Sequence, residues 1–463
     1  MKKNETTETI TRRDALKLGA LASAAALTAG ATPAKAELGQ KMNLKRGRSV
    51  TDPLRIVIIG GGMAGTAMAF RLSRAITFPK ITLFDPEPKS TWYQPGMTLV
   101  GAGIWRQYDL EYRRGDYIPN HTEIVDSAIV GIDRKKRVVT DDRGKKTPYD
   151  YLIVASGARL DFGAVKGLEG SFGSLESLEN RPAWMDDDAV GSVYHIHGAN
   201  RLSEQFDTLA SRASGAKEPL RIWFTQPAGN AFKAPAAGLS MLMVLLDRLG
   251  GAKCEITVAS EDGRLSASDT YDTMLKKRLE KAGVKVVKGK LAAIDRTARK
   301  LTLIDERGDE THDYDFIHIT PPMRADAIYE EAGLTGETGW LDVNPKTLLH
   351  RDDERIFAVG DAAGTGALKT AMGISDQVKT VVDAMRAIDE GKKPSKSYDG
   401  YGCDTFLCPG GRKALFVSYG FDKKPVCPLD ILFDAKRCSK INWYAQLHWF
   451  RPYLMSGVLK GWV

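Results

Sequence analysis

The run Arg55-Ile56-Val57-Ile58-Ile59 passes without interruption into Gly60-Gly61-Gly62-Met63-Ala64-Gly65, and few folds are open to a chain that does this. A stretch so rich in β-branched residues fits a parallel strand covered on both faces. Apolar residues at helical spacing follow from Thr66 to Ile76, and Ile81 to Phe84 supply a second strand that ends in Asp85. Each glycine has a distinct task. Gly60 makes the tight turn, Gly62 lets the backbone approach a pyrophosphate, and Gly65 lets helix and strand pack closely. The helix N-terminus faces the phosphates, and Asp85, about twenty residues beyond Gly65, is placed to accept hydrogen bonds from ribose hydroxyls. The glycine pattern alone is a weak signal. With strand, helix and acid in register it predicts a dinucleotide-binding βαβ unit.

At 463 residues the chain exceeds one ordinary core, so two or three domains are expected. The 43% hydrophobic and 27% charged fractions are those of a soluble globular protein, and no apolar run after the first forty residues would cross a bilayer. The formal charge is +8, with six basic and three acidic residues falling in positions 1–36. The remaining excess is dispersed, without zinc-finger spacing or a dense basic block, which disfavours nucleic acid and leaves an anionic membrane surface as the better partner. Residues 1–36 read as an address: Arg12-Arg13 precede an Ala-rich stretch from Leu18 to Ala31 and the small-x-small triplet Ala34-Lys35-Ala36. They resemble a twin-arginine signal, which predicts export of the folded protein to the bacterial periplasm. An ordinary secretory signal or an uncleaved anchor are the bland readings.

Two further segments bear on which dinucleotide is held. Tyr149 to Arg159 (YDYLIVASGAR) and Arg355 to Gly364 (RIFAVGDAAG) resemble the second and third sequence marks of FAD-containing reductases of the pyridine nucleotide-disulfide oxidoreductase superfamily. The resemblance implies FAD, with Gly157 and Gly360 among the residues that bind it and Asp361 bonded to the ribityl chain. That superfamily carries a second βαβ unit for NAD(P)H. Here the strand Pro219 to Thr225 leads into Gln226 to Gly238 (QPAGNAFKAPAAG), which lacks the glycine pattern, and Pro227 and Pro235 remove backbone donors that a pyrophosphate needs. The expected architecture is therefore α/β, with two Rossmann-like domains, the second without a nicotinamide cradle. The FAD domain comprises 50–165 and 315–390, the degenerate NAD-type domain 166–314, and the C-terminal region 391–463.

A flavin enzyme without a nicotinamide site must take electrons from something small. The chain resembles the sulfide:quinone oxidoreductase and flavocytochrome c sulfide dehydrogenase branch over nearly its whole mature length. Trp92 to Trp105, Asp315 to Ala325, Gly333 to Gly364, Leu368 to Ala371 (LKTA) and Tyr398 to Cys403 (YDGYGC) carry the likeness. It implies that Lys369 lies near the flavin ring and that Cys403 occupies a redox-cysteine segment with one residue fewer before the thiol. The segment 441–463 alternates aromatic and apolar residues with Arg451 and Lys460, which suits an amphipathic helix pair in the headgroup region; packing on the core is the alternative. In sulfide:quinone oxidoreductases such a segment opens a path to membrane quinone. A periplasmic cytochrome c is the competing acceptor, and a flavin-binding homologue without sulfide activity the competing class.

The departures matter equally. The mid-chain cysteine of the relatives falls at Ala234, the flavocytochrome-type cysteine at Leu341, and Gln94-Pro95 replace a covalent tethering site, so FAD is expected to be noncovalent. Five cysteines remain, none in a C-x-x-C pair, which disfavours a metal site. Cys403 and Cys408 fit a redox thiol with its resolving partner, a structural disulfide, or two inert thiols. Cys254 opens a buried-looking strand, and Cys427 and Cys438 are candidates to pair with each other. The resulting expectation is peripheral attachment to the inner membrane and oxidation of a reduced sulfur donor, with Cys403, Cys408 and Lys369 catalytic.

Overall fold

The computed structural model describes residues 51–87, 89–176, 181–229, 232–426 and 436–463. The 1–36 signal and Cys427 lie outside them. The first of two parallel sheets has six strands in the spatial order Leu349–His350, Asp353–Ala358, Tyr151–Val154, Leu54–Ile59, Pro79–Phe84, Thr122–Val125, and only its first pairing is antiparallel. The near-continuous apolar runs are explained by burial on both faces: Ile56, Ile58, Leu83, Leu152, Ile153 and Phe357 are inaccessible to solvent. The Met63–Ala75 helix packs against Ile374–Glu390. The glycine-rich turn therefore opens at the carboxyl ends of the central strands, where ligands bind in such sheets.

The second sheet is parallel throughout, in the order Val190–Gly191, Phe316–His318, Leu220–Gln226, Cys254–Ser260, Lys285–Lys288. This corrects one expected boundary. Phe316–His318, assigned from sequence to the first unit, completes the second, so the return crossing comes one strand later than 315. A short apolar strand fits either buried parallel sheet, and only pairing partners distinguish them. The strands Arg159–Asp161 and Met323–Arg324 pair antiparallel where the chain passes between the two units.

After Ile374–Glu390 the chain forms a hairpin, Gly402–Cys408 with Lys413–Tyr419, which packs on the Ala236–Leu249 helix. The Lys440–His448 helix starts where Ser439 Oγ accepts from the Asn442 N–H at 3.1 Å. Two cysteine expectations are overturned. Cys408 is disulfide-bonded to Cys438, not to Cys403, so Cys438 is not available to Cys427. Cys403 and Cys408 also share one extended strand instead of a tight turn, which separates them by roughly 16 Å at about 3.3 Å per residue. Cys408 cannot resolve a disulfide on Cys403.

The C-terminal segment packs inward more than the amphipathic reading implied. Trp443, Leu454, Met455, Val458 and Leu459 are buried, and Arg71 donates to the Val463 carbonyl. Trp462 is 71% exposed, with the Arg74 guanidinium 4.5 Å from the centre of its ring. Among the described residues no helix is long and apolar enough to cross a membrane.

The disulfide closes a loop between residues 30 apart in sequence and staples the hairpin to the start of the last helix. Cys408→Ser should lower unfolding free energy by about 2–4 kcal/mol in denaturant titration while leaving the flavin spectrum unchanged. A changed flavin spectrum at unchanged stability would contradict a structural role.

Candidate functional site

One cavity of about 680 Å³ runs from the glycine-rich turn to the C-terminal segment. At its first end Gly60 adopts φ +99°, a conformation open to glycine, and its N–H donates to Phe84 O at 2.8 Å. Gly62 has open space where a side chain would project, and Gly65 sits so close to the Gly60 carbonyl that a methyl group would overlap it. The tight turn at Gly60 and the close packing at Gly65 are those read from sequence. Gly65 supports the cavity from behind, while Gly60, Gly62 and Asp85 line it.

Asp85 holds this end together. Its Oδ2 accepts from the Gly61 N–H at 2.5 Å, its Oδ1 accepts from the Glu87 N–H at 2.8 Å, and Arg114 Nη1 lies 3.2 Å from Oδ1. Arg114 is 3% exposed and also donates to Ser90 O at 2.6 Å. Its Nε is buried without a hydrogen-bond partner among the described residues. Sequence reasoning missed Arg114, because a buried arginine inside the polar stretch Glu111 to Asp116 has no spacing rule to reveal it. A guanidinium beside an open glycine turn suits a ligand with phosphate oxygens.

Further along the cavity Gly157 and Gly360 adopt φ +74° and +70°, and the Gly360 N–H donates to Gln377 Oε1 at 2.7 Å. Asp361 lines the cavity with them. Lys369 does too, but its ammonium donates to the Asp361 and Ala363 carbonyls at 2.7 and 2.8 Å and sits 3.8 Å from the centre of the Trp340 ring. Burial depresses its pKa to about 8, against an opposing pull from the Asp361 carboxylate. With two carbonyls holding it, Lys369 fixes the Asp361 turn.

The thiol face differs from the one the sequence implied. Ala234 lines the cavity in a left-handed conformation, φ +45°, held by its N–H to Lys369 O at 2.9 Å and by the Tyr194 hydroxyl on its carbonyl at 3.1 Å. Next to it the Lys233 ammonium donates to Gln94 Oε1 at 3.2 Å and to Ser174 Oγ, and burial lowers its pKa. Leu341, at the other lost-cysteine position, is buried and bridges Ala363. Cys403 is the only cysteine among the described cavity-lining residues, and it packs in a small cluster with Phe416, Ala445 and Phe450. Its neighbour Asp404, unnoticed in the sequence, lines the cavity as well, and burial raises its pKa to about 6.

Gln446, Phe450 and Leu454 of the C-terminal segment form the far wall. Thr405 Oγ1 donates to Gln446 Oε1 at 2.7 Å, which ties that wall to the strand bearing Cys403 and Asp404.

In the second unit, two backbone donors of the described part of the turn after Leu220–Gln226 meet acids that follow the Cys254–Ser260 strand. Gly229 N–H donates to Asp262 Oδ2 at 3.1 Å and Ala228 N–H lies 3.4 Å from Glu261 Oε2. The bonds repeat the one that Gly61 makes to Asp85, in a turn that lacks the glycine pattern and carries Pro227 and Pro235.

The profile of the family described as "Pyridine nucleotide-disulphide oxidoreductase" matches residues 54–194, the part that holds the first unit. The chain is 25% identical over 408 residues to the mitochondrial sulfide:quinone oxidoreductase of Mus musculus, covering 86% of this chain and 84% of that protein. The sulfide:quinone oxidoreductase structure from Aquifex aeolicus superposes with a TM-score of 0.69 at 19% identity, covering 88% of this chain and 92% of that one. A chain in the mitochondrial ATP synthase structure of Tetrahymena thermophila superposes with a TM-score of 0.70 at 17% identity over 90% of this chain and 99% of its own length. The resemblance read from the motifs is thereby borne out: this chain is similar over most of its length to sulfide:quinone oxidoreductases, and its fold is the two-sheet α/β fold expected.

Asp361→Ala and Arg114→Ala should each weaken FAD retention, by about 1–3 kcal/mol for a lost hydrogen-bonding partner, read as flavin absorbance per chain after dialysis. Full loading in both variants would show that the cofactor is held elsewhere.

Proposed function

We propose that this chain is an FAD-dependent oxidoreductase that takes two electrons from sulfide or a related reduced sulfur species and passes them to membrane quinone. The observation that carries the reading is one continuous cavity, which joins a dinucleotide turn at one end to an apolar wall of the C-terminal segment at the other, while the second unit lacks the glycine pattern. FAD would be held by Gly60, Gly62, Asp85, Arg114, Gly157, Gly360 and Asp361. Bound there, it supplies storage of an electron pair between two half-reactions that never meet. It is held noncovalently, since Gln94 and Pro95 stand at the cavity wall where a tethering cysteine would be needed.

What the protein itself contributes is placement. The Asp361 turn is fixed by Lys369, and the donor side is walled by Ala234, Lys233 and Asp404. The acceptor side is walled by Phe450 and Leu454, apolar surface that suits a quinone ring better than a cytochrome's polar face. The named likeness to the Mus musculus enzyme supports the same donor and acceptor. Export by the twin-arginine route and a peripheral seat on the periplasmic face of the inner membrane complete the proposal. Trp462, Tyr108 and Ile104, at 71%, 64% and 43% exposure, are available to touch lipid.

One observation favours a second reading, a flavin-binding protein without sulfide activity. The cavity has no cysteine pair among the described residues, because Ala234 and the Cys408–Cys438 disulfide remove both potential partners of Cys403. Stopped-flow mixing separates the readings. Anaerobic hydrosulfide should bleach the flavin band, and decylubiquinone should restore it faster than cytochrome c does. A flavin band indifferent to hydrosulfide would establish the second reading. Trp462→Ser should shift the protein from sedimenting with anionic vesicles towards the supernatant, and equal sedimentation of both forms would remove the membrane seat.

A further inference from the structure

The Gly402–Cys408 strand presents successive side chains to opposite faces. Cys403 turns towards Phe416, Ala445 and Phe450, on the side of the C-terminal segment. Asp404 turns the other way, to the start of the Ala236–Leu249 helix, where its Oδ2 accepts from the Ala236 N–H at 2.8 Å, two residues beyond Ala234. Its Oδ1 accepts from the Thr405 N–H at 2.9 Å. Each oxygen thus has one fixed donor and lone-pair capacity left over, and the side chain lines the cavity. A small donor that enters beside Ala234 meets a carboxyl group, with the Cys403 thiol on the strand's other side.

From this geometry we propose that Asp404 is the acid–base residue of the cavity, accepting the proton released when the donor is oxidised. The inference rests on the function above for a flavin in the cavity and for a donor that releases a proton when oxidised; its test needs only the flavin. For hydrosulfide as donor the step balances as follows. Two hydrosulfide ions joined through a new S–S bond lose one proton and two electrons, leaving hydrogen disulfide ion. The proton goes to the Asp404 carboxylate. The two electrons pass on to quinone, which with that proton and one from water becomes quinol.

The electrostatics agree with the role. Enclosure raises the Asp404 pKa to about 6, the Asp361 carboxylate pushes in the same direction, and the two backbone N–H donors oppose both. The other titratable groups around it are Tyr194, Lys233, Lys369 and Cys403, all lining the same cavity. Tyr194 is held neutral by burial, so it does not compete for the proton. An acid poised near neutrality transfers protons most effectively.

The role has a signature that needs no sulfur donor. An electron pair stored beside Asp404 raises its proton affinity, so reduction draws in one extra proton wherever the carboxyl is ionised beforehand. In a dithionite titration of the holoprotein, the flavin midpoint potential should therefore fall more steeply with pH above about 6 than below it. Asp404→Asn should abolish the break, and Asp404→Glu should keep it at a shifted pH. A merely structural residue at the helix start would change stability and leave the slope alone. A wild-type slope without a break, or an Asn variant that keeps the break, overturns the proposal. If Asp404→Asn does not fold, an unmoved break in Asp404→Glu does the same. Since dithionite is the reductant, failure here is distinct from failure of hydrosulfide as donor.

Discussion

Everything at the candidate site hangs from the crossing of the Met63–Ala75 helix over the Leu54–Ile59 strand. Gly65 meets the Gly60 carbonyl with no room for a methyl group between them, and that contact sets the helix N-terminus over the strand end. Gly62 is then left facing open cavity, and Asp85 at the end of the next strand reaches the Gly61 N–H. The Arg114 to Asp85 pair depends on the same approach, since its guanidinium lies against Gly61. A larger residue at position 65 would lift the helix and undo the turn, the carboxylate bond and the arginine's seat together.

The same strand–helix–strand plan recurs in the second unit without the glycine pattern. The Leu220–Gln226 strand and Ala236–Leu249 helix are intact, and two donors between them point at Glu261 and Asp262. The start of that helix bonds Asp404, from a strand almost 170 residues later, with a sequence separation of 168. The unit that would bind a nicotinamide has become the wall that carries Ala234 and receives the C-terminal hairpin.

Much of this was legible because it is local. Strand, glycine turn, helix and acid in the first unit are adjacent in sequence, so their periods and spacing announce them. The second unit's departure from the glycine pattern was equally visible, with Pro227 and Pro235 in its turn. What stayed hidden depends on long-range pairing. The choice of Cys438 by Cys408 needed the hairpin and last helix to be brought together. Phe316–His318 was placed in the wrong sheet because an apolar strand does not name its neighbours. Arg114 and Asp404 look like ordinary polar residues until burial shows where they point. Reading Cys403 and Cys408 as neighbours failed because the strand that holds them is extended.

The first dinucleotide turn is open to a ligand, while the second lacks the glycine pattern. Calorimetric titration of the apoprotein with FAD and, separately, of the holoprotein with NADH tests this contrast most directly. One equivalent of FAD per chain and no saturable heat with NADH are expected. Saturable NADH binding to the holoprotein would contradict the contrast.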